Sequence, residues 1–245
     1  MTFAPDGAVK AVLVDMDDTV FDHSLTCRAA IRALRREEPF LTARPLHELW
    51  TDYLHLLGAG VPGSTRRPVR IDEARRERWR RVALSCGRAL TPAEATALSR
   101  RYRDHYQRRR RPVPGARELL RRLHRRATVV VVTNNEVAEQ EEKVRFLGIG
   151  PYLDGLVISE AIGASKPDPR IFEVALSTGG ARPGQAVMLG DSWASDIEGA
   201  RGAGIRPIWF NRFGLPPSPG RPVPELRSLR PSEAAERRLL LHGPR

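Results

Sequence analysis

Three carboxylates close a short apolar run near the start of the chain, Val12-Leu13-Val14-Asp15-Met16-Asp17-Asp18. Much later Val187-Met188-Leu189 leads into Gly190-Asp191-Ser192, with Asp196 shortly after. Between them, Val129 to Val132 ends in Thr133-Asn134, and Lys166 is one of only three lysines among 41 basic residues. Carboxylates gathered without a cation repel one another and raise each other's pKa. A hard divalent cation among them is therefore expected. Magnesium fits, because it takes oxygen ligands, keeps waters and works with phosphate groups.

These residues can meet only if the chain brings its strand ends together. Ala11 to Asp15 reads as a buried parallel strand. Alternation resumes after Pro112-Val113-Pro114-Gly115: helix Ala116 to Arg126, strand Ala127 to Thr133, helix Val137 to Leu147 stopped by Gly148, and strand Leu156 to Ser159. Helix Arg170 to Ser177 follows, capped by Asp168, then strand Ala186 to Leu189, helix Ser195 to Ala203 and strand Ile205 to Phe210. Strands separated by helices predict an α/β fold, a doubly wound parallel sheet with helices on both faces. In such a sheet ligands bind at the carboxyl edge of the strands, near the point where strand order reverses. Asp15, Asp17, Thr133, Asn134 and Asp191 all fall at that edge.

From Ser24 to about Arg111 the pattern is helical and charged, without a convincing long strand. Thr91-Pro92-Ala93-Glu94 is its clearest helix start, a capping box with proline in the first turn. The expected organisation is a Rossmann-like core of residues 1–22 and 112–245 with a helical insert at 23–111. The tail from Leu215 reads as an ordered wrap, with a strand at Glu225 to Leu229 and a helix from Ser232.

Composition narrows the classes further. No apolar stretch approaches the roughly 20 residues needed to cross a bilayer, and MTFAPDGAVK does not read as a secretion signal. Cys27 and Cys86 have neither the number nor the spacing of a disulfide framework or zinc site, as expected for thiols in a reducing cytoplasm. The net charge of +12 comes mainly from arginines spread over the chain. The densest run, Arg108 to Arg111, closes a predicted helix, where positive charge is locally favourable. A solvated basic face is the stronger reading and a nucleic-acid or polyanion surface the weaker one. Monomer and homodimer are both compatible with the sequence.

The motifs resemble those of the haloacid dehalogenase (HAD) superfamily over nearly the whole chain. Asp15-Met16-Asp17-Asp18-Thr19 is similar to its first motif, Thr133 to its second, Lys166-Pro167 to its third, and Gly190-Asp191-Ser192 with Asp196 to its fourth. The resemblance implies a phosphatase in which Asp15 attacks phosphorus to give an aspartyl-phosphate and Asp17 acts as acid and then base. It implies Mg²⁺ held by Asp15, the main-chain carbonyl of Asp17 and Asp191. Thr133, the Asn134 amide and Lys166 would contact the phosphate. Asp196 and Ser192 would stand behind these groups, Asp196 orienting Lys166 or a metal-bound water and Ser192 beside the metal or capping the next turn. Asp18 stands where the family often has glycine and is expected to be a turn residue, and Thr19 is expected to shape the loop through hydroxyl-to-backbone bonds.

The insert after the first strand resembles the family's first type of helical cap, with Trp50, Tyr53 and Trp79 as candidate substrate contacts or core. Members that cleave carbon–halogen bonds lack the second aspartate, so Asp17 argues for phosphate esters. The implied substrate is a small phosphorylated metabolite. The segments around Lys166 and Asp191 resemble phosphatases that include enzymes acting on nucleoside monophosphates. The alternatives are a phosphomutase using the same aspartates, or a polyanion-binding protein on this scaffold.

Overall fold

The computed structural model describes residues 8–58, 71–216 and 222–241. The expectations for the N-terminal MTFAPDG, for residues 59–70 of the insert and for 217–221 of the tail lie outside them. The chain divides into two compact units, Met1–Asp22 with Arg111–Arg245, and His23–Arg110.

In chain order the elements begin with β1 (Ala11–Val14). The second unit then contributes α1 (His23–Glu37), α2 (Leu46–Gly58), α3 (Ile71–Ser85) and α4 (Pro92–Arg108). The first unit continues with α5 (Ala116–Leu123), β2 (Thr128–Thr133), α6 (Val137–Leu147), β3 (Gly155–Ile158), α7 (Ser159–Ile162), α8 (Pro169–Thr178), β4 (Ala186–Gly190), α9 (Glu198–Gly202), β5 (Arg206–Phe210), β6 (Glu225–Leu226) and α10 (Ser232–Leu240).

The strands form one six-stranded parallel sheet in the order β3-β2-β1-β4-β5-β6. The order reverses about β1, which pairs with β2 on one side and β4 on the other, so β1 ends at the switch point. Central strands such as AVLV and TVVVVT are apolar throughout because helices cover both faces. On one face Leu13, Val130, Val132 and Met188 pack against Ile171, Phe172, Ala175 and Leu176 of α8.

Several boundaries differ from the sequence reading. β1 stops at Val14 and β3 at Ile158, each one residue before the polar residue assigned to its strand. Ser159–Ile162 forms a short helix that the sequence reading did not include. The expected helix from Ser195 is a wide π-type turn, Trp193–Ile197, running into α9. The tail pairs at the sheet edge over only Glu225–Leu226, because the following residues turn so that Leu229 is buried.

In the helical unit, the capping box at Thr91 is formed: its hydroxyl accepts from the Glu94 N–H, and its own N–H donates to the Glu94 carboxylate. Tyr53 and Trp79 are buried and pack against each other and against Tyr102. They are core of that unit. Trp50 is only partly buried, donates to the Ser24 carbonyl and lies against the Arg28 guanidinium.

Candidate active site

The register of the sheet sets the site. Val14 lies beside Val131 and Leu189, so the chain leaves β1, β2 and β4 at nearly one level. Asp15 follows at once, its N–H donating to the Leu189 carbonyl at 2.9 Å. Asp15, Asp191 and Asp196 each bring a carboxylate oxygen within 4.8 Å of the others.

Lys166 enters this cluster from the loop before α8. Its ammonium donates to Asp15 Oδ1 and Asp196 Oδ1, both at 2.6 Å, and to the Val132 carbonyl at 2.8 Å. An ammonium has three protons, and all three are engaged within the protein. Contact with a phosphate oxygen therefore requires that one of these partners be exchanged. Burial alone would lower the Lys166 pKa, but Asp15 and Asp196 outweigh it and hold the value above the usual one. Burial pushes the Asp15 carboxyl up to about 7, with Lys166 pulling it down and Asp196 and Asp17 adding repulsion. Asp191, partly buried, is raised well above the ordinary carboxylate range by burial and by Asp15, Asp196 and Asp18.

Asp196 is fully buried in the wide turn. Its second oxygen accepts from the Ser192 N–H at 3.0 Å, and the Ser192 hydroxyl caps the turn by accepting from the Ser195 N–H. Gly190 makes room for this arrangement. A Cβ there would stand 2.3 Å from Asp196 Oδ2 and 2.4 Å from its carboxyl carbon. Gly190→Ala is accordingly expected to displace Asp196 from Lys166, lowering stability by about 1–3 kcal/mol and lowering turnover with it. Thermal denaturation alongside phosphate release would check both.

Thr133 is buried at the end of β2. The Asn134 side chain is committed elsewhere: its amide nitrogen donates to the Lys166 carbonyl at 2.9 Å and its oxygen accepts from the Lys166 N–H at 2.7 Å. It thus ties the β2 loop to the Lys166 loop, and any contact to a phosphate falls to its main-chain N–H.

Asp17 points to a different neighbourhood from Asp15. Its two oxygens accept from the Lys143 ammonium at 2.6 and 2.9 Å, and Oδ2 also accepts from Gln140 Nε2 at 3.0 Å. Both partners lie on α6 and were absent from the sequence-derived set. The available signal was that Lys143 is one of three lysines, set three residues after a glutamine.

Asp18 adopts the left-handed conformation, φ 61°, which aspartate tolerates better than most residues. Its carboxylate pairs with Arg212 at 3.0 Å, and Arg212 also binds Asp22 at 2.5 Å. Arg212 thereby pins both ends of the turn that follows Asp17. The expected hydroxyl bond of Thr19 is not formed, since its oxygen is buried with no hydrogen-bond partner among the described residues.

The donor set suits a hard cation. Asp15 and Asp191 supply carboxylate oxygens, neither a histidine nor a cysteine belongs to the cluster, and Lys166 neutralises Asp15 and Asp196 but bonds to no oxygen of Asp191.

A family profile described as haloacid dehalogenase-like hydrolase matches residues 9–204. The chain is 30% identical to phosphoserine phosphatase from Thermus thermophilus, over 89% of its own length and 95% of that protein. A magnesium-bound HAD-hydrolase from Bacillus subtilis, YfnB, has the same fold, with a TM-score of 0.76 at 24% identity over 94% of this chain and 99% of that one. A 2-haloacid dehalogenase from Pseudomonas syringae pv. Tomato is 28% identical, with a TM-score of 0.61 over 92% of this chain and 97% of that one. Among the described residues no helix is long and apolar enough to cross a membrane.

Proposed function

The chain belongs to the haloacid dehalogenase-like hydrolases and is a phosphoric monoester hydrolase; we propose that it is a Mg²⁺-dependent phosphatase of small phosphomonoesters, working through an aspartyl-phosphate. The observation that carries this reading is the division of labour between two aspartates separated by a single residue, Met16. Asp15 is fixed by Lys166 within the carboxylate cluster, and Asp17 is held separately by Lys143 and Gln140.

In the first step a carboxylate oxygen of Asp15 forms a bond to phosphorus as the ester P–O bond breaks, and the Asp17 carboxyl gives its proton to the departing oxygen. In the second, water attacks phosphorus, its proton passes to Asp17, and Asp15 is released. Lys166 holds Asp15 in one rotamer and keeps positive charge beside the reacting oxygens. Thr133 and the Asn134 main-chain N–H are the donors for the phosphoryl group, and Asp196, held by Ser192, keeps Lys166 in place. Asp15, Asp191 and the main-chain carbonyl of Asp17 would hold Mg²⁺. When bound, the ion supplies positive charge against the transferring phosphoryl group.

Halide departs without a proton, so a carboxyl at position 17 with two dedicated partners favours an ester substrate over a carbon–halogen bond. Residues 23–111 are read as the cap that sets which ester is taken, on a core of residues 1–22 and 112–245. Nucleoside monophosphates lead the candidates, on the resemblance of the segments around Lys166 and Asp191, and phosphoserine follows from the Thermus relative. The reading includes a cytoplasmic setting, in which Cys27 and Cys86 stay as the free thiols seen here.

Phosphate release from nucleoside monophosphates, phosphoserine, sugar phosphates and phosphoglycolate, with Mg²⁺ and then with chelator, tests this function. Turnover of at least one ester, falling to background with chelator and restored by Mg²⁺, is expected. Turnover indifferent to chelator, or none on any monoester, would reject the reading.

A further inference from the structure

We propose that Gln140 and Lys143 are positioning residues for Asp17: helix α6 holds the carboxyl group that serves the leaving oxygen. The inference rests on the phosphatase reading above.

Asp17 sits in a loop beyond the end of β1, where a short side chain has several rotamers. The side chain of Asp17 retains some exposure, 25%, whereas that of Lys143 is only 2% exposed. Burying an ammonium is costly unless charge and hydrogen bonds repay it. Here Asp17 takes two of its hydrogen bonds, Glu139 approaches to 3.5 Å, and the Phe21 ring lies 5.1 Å from the nitrogen. Gln140, fully buried one turn earlier, adds its bond to Asp17 Oδ2, and its own Oε1 has no partner among the described residues.

The composition makes this arrangement specific. Basic positions in this chain are almost all arginine, yet Lys143 and Lys166 are both buried, and each binds an aspartate of the Asp15-Met16-Asp17 stretch. A compact ammonium fits between closely set oxygens where a planar guanidinium does not. Two carboxylates separated by a single residue, each with its own buried lysine, are thus kept in different orientations. Lys166 directs Asp15, and Lys143 with Gln140 directs Asp17. Glu139 leaves Lys143 with a second anionic neighbour when Asp17 turns toward an ester.

A positioning role for the acid group predicts selectivity by leaving group. An alkyl ester needs a proton on its departing oxygen, whereas p-nitrophenolate leaves without one. The experiment compares kcat/KM of wild type, Lys143→Met and Gln140→Leu on the best alkyl phosphate and on p-nitrophenyl phosphate. The ratio of variant to wild type is taken for each ester, so that differences in binding between the esters cancel. kcat/KM reports the first phosphoryl transfer, before water attacks the aspartyl-phosphate. General acid catalysis contributes about 10²–10⁴-fold. Lys143→Met is expected to lose at least about tenfold on the alkyl ester and less than about threefold on the aryl ester. Gln140→Leu, which removes one bond and no charge, should show a smaller loss of the same selectivity and covers the case in which Lys143→Met does not fold. Equal losses on both esters, or no loss on the alkyl ester in a folded variant, would overturn the inference and leave the phosphatase reading intact. A wild type silent on both esters would overturn the two together.

Discussion

Asp15→Asn should lower phosphate release by about 10⁴-fold or more, as loss of a covalent nucleophile does elsewhere, without lowering the stability of the metal-free protein above neutral pH. The second half follows from linkage. The Asp15 carboxyl sits at about 7 in the folded protein against an ordinary 3.8, chiefly because burial disfavours its charge. The folded state therefore binds this proton more tightly than the unfolded chain does. Metal-free wild type should lose stability from this group as pH rises from about 4 to about 7, and the penalty is complete above that. The asparagine variant lacks the slope. Urea unfolding of both proteins in chelator across this range would measure it, the difference between them isolating Asp15 from Asp191. A variant that keeps more than a few per cent of wild-type turnover would remove Asp15 as nucleophile. A variant unfolded at pH 8 would contradict the burial argument.

Lys166→Met should cost both activity and stability. The ammonium is the shared partner of Asp15 and Asp196, both buried, and removing it leaves two carboxylates facing each other with the neutralising charge gone. Breaking a buried ion pair by deleting one member typically costs about 3–5 kcal/mol. For a protein of this size that is a fall in melting temperature on the order of 10 °C. The deficit should shrink at pH 5 relative to pH 8, because protons can then replace the lost positive charge. Methionine keeps the stem's volume, so packing stays nearly constant and the change reports charge. Thermal unfolding at the two pH values, with phosphate release under Mg²⁺, gives both readings. A deficit equal at pH 5 and pH 8 would mean that packing, not charge, is the contribution of Lys166.

The sequence by itself determined the parts governed by near neighbours. The β-branched run at 129–132 and the apolar run at 187–189 could be read as buried parallel strands, and polar residues directly after such runs had to lie at the carboxyl edge. That alone puts Asp15, Thr133 and Asp191 on one rim. Thr91 with Glu94, and Asp168 before its helix, were readable as caps because a cap bonds within three residues. What only the tertiary structure decided are the partners those groups take. Lys143, with three glutamates within four residues of it, has the pattern of a solvated helix face, yet it is buried against Asp17, 126 residues away. Arg212 reaches Asp18 across 194 residues, and nothing local separates it from the other arginines. The full engagement of the Lys166 ammonium and the tying of the Asn134 amide to the Lys166 backbone likewise appear only once the loops converge. The physical reason is that strands, helices and caps are set by bonds between near neighbours, which local sequence encodes. An ion pair between distant residues depends on how one helix is rotated against the sheet, and on how much burial its charge can bear once an opposite charge is there to meet it.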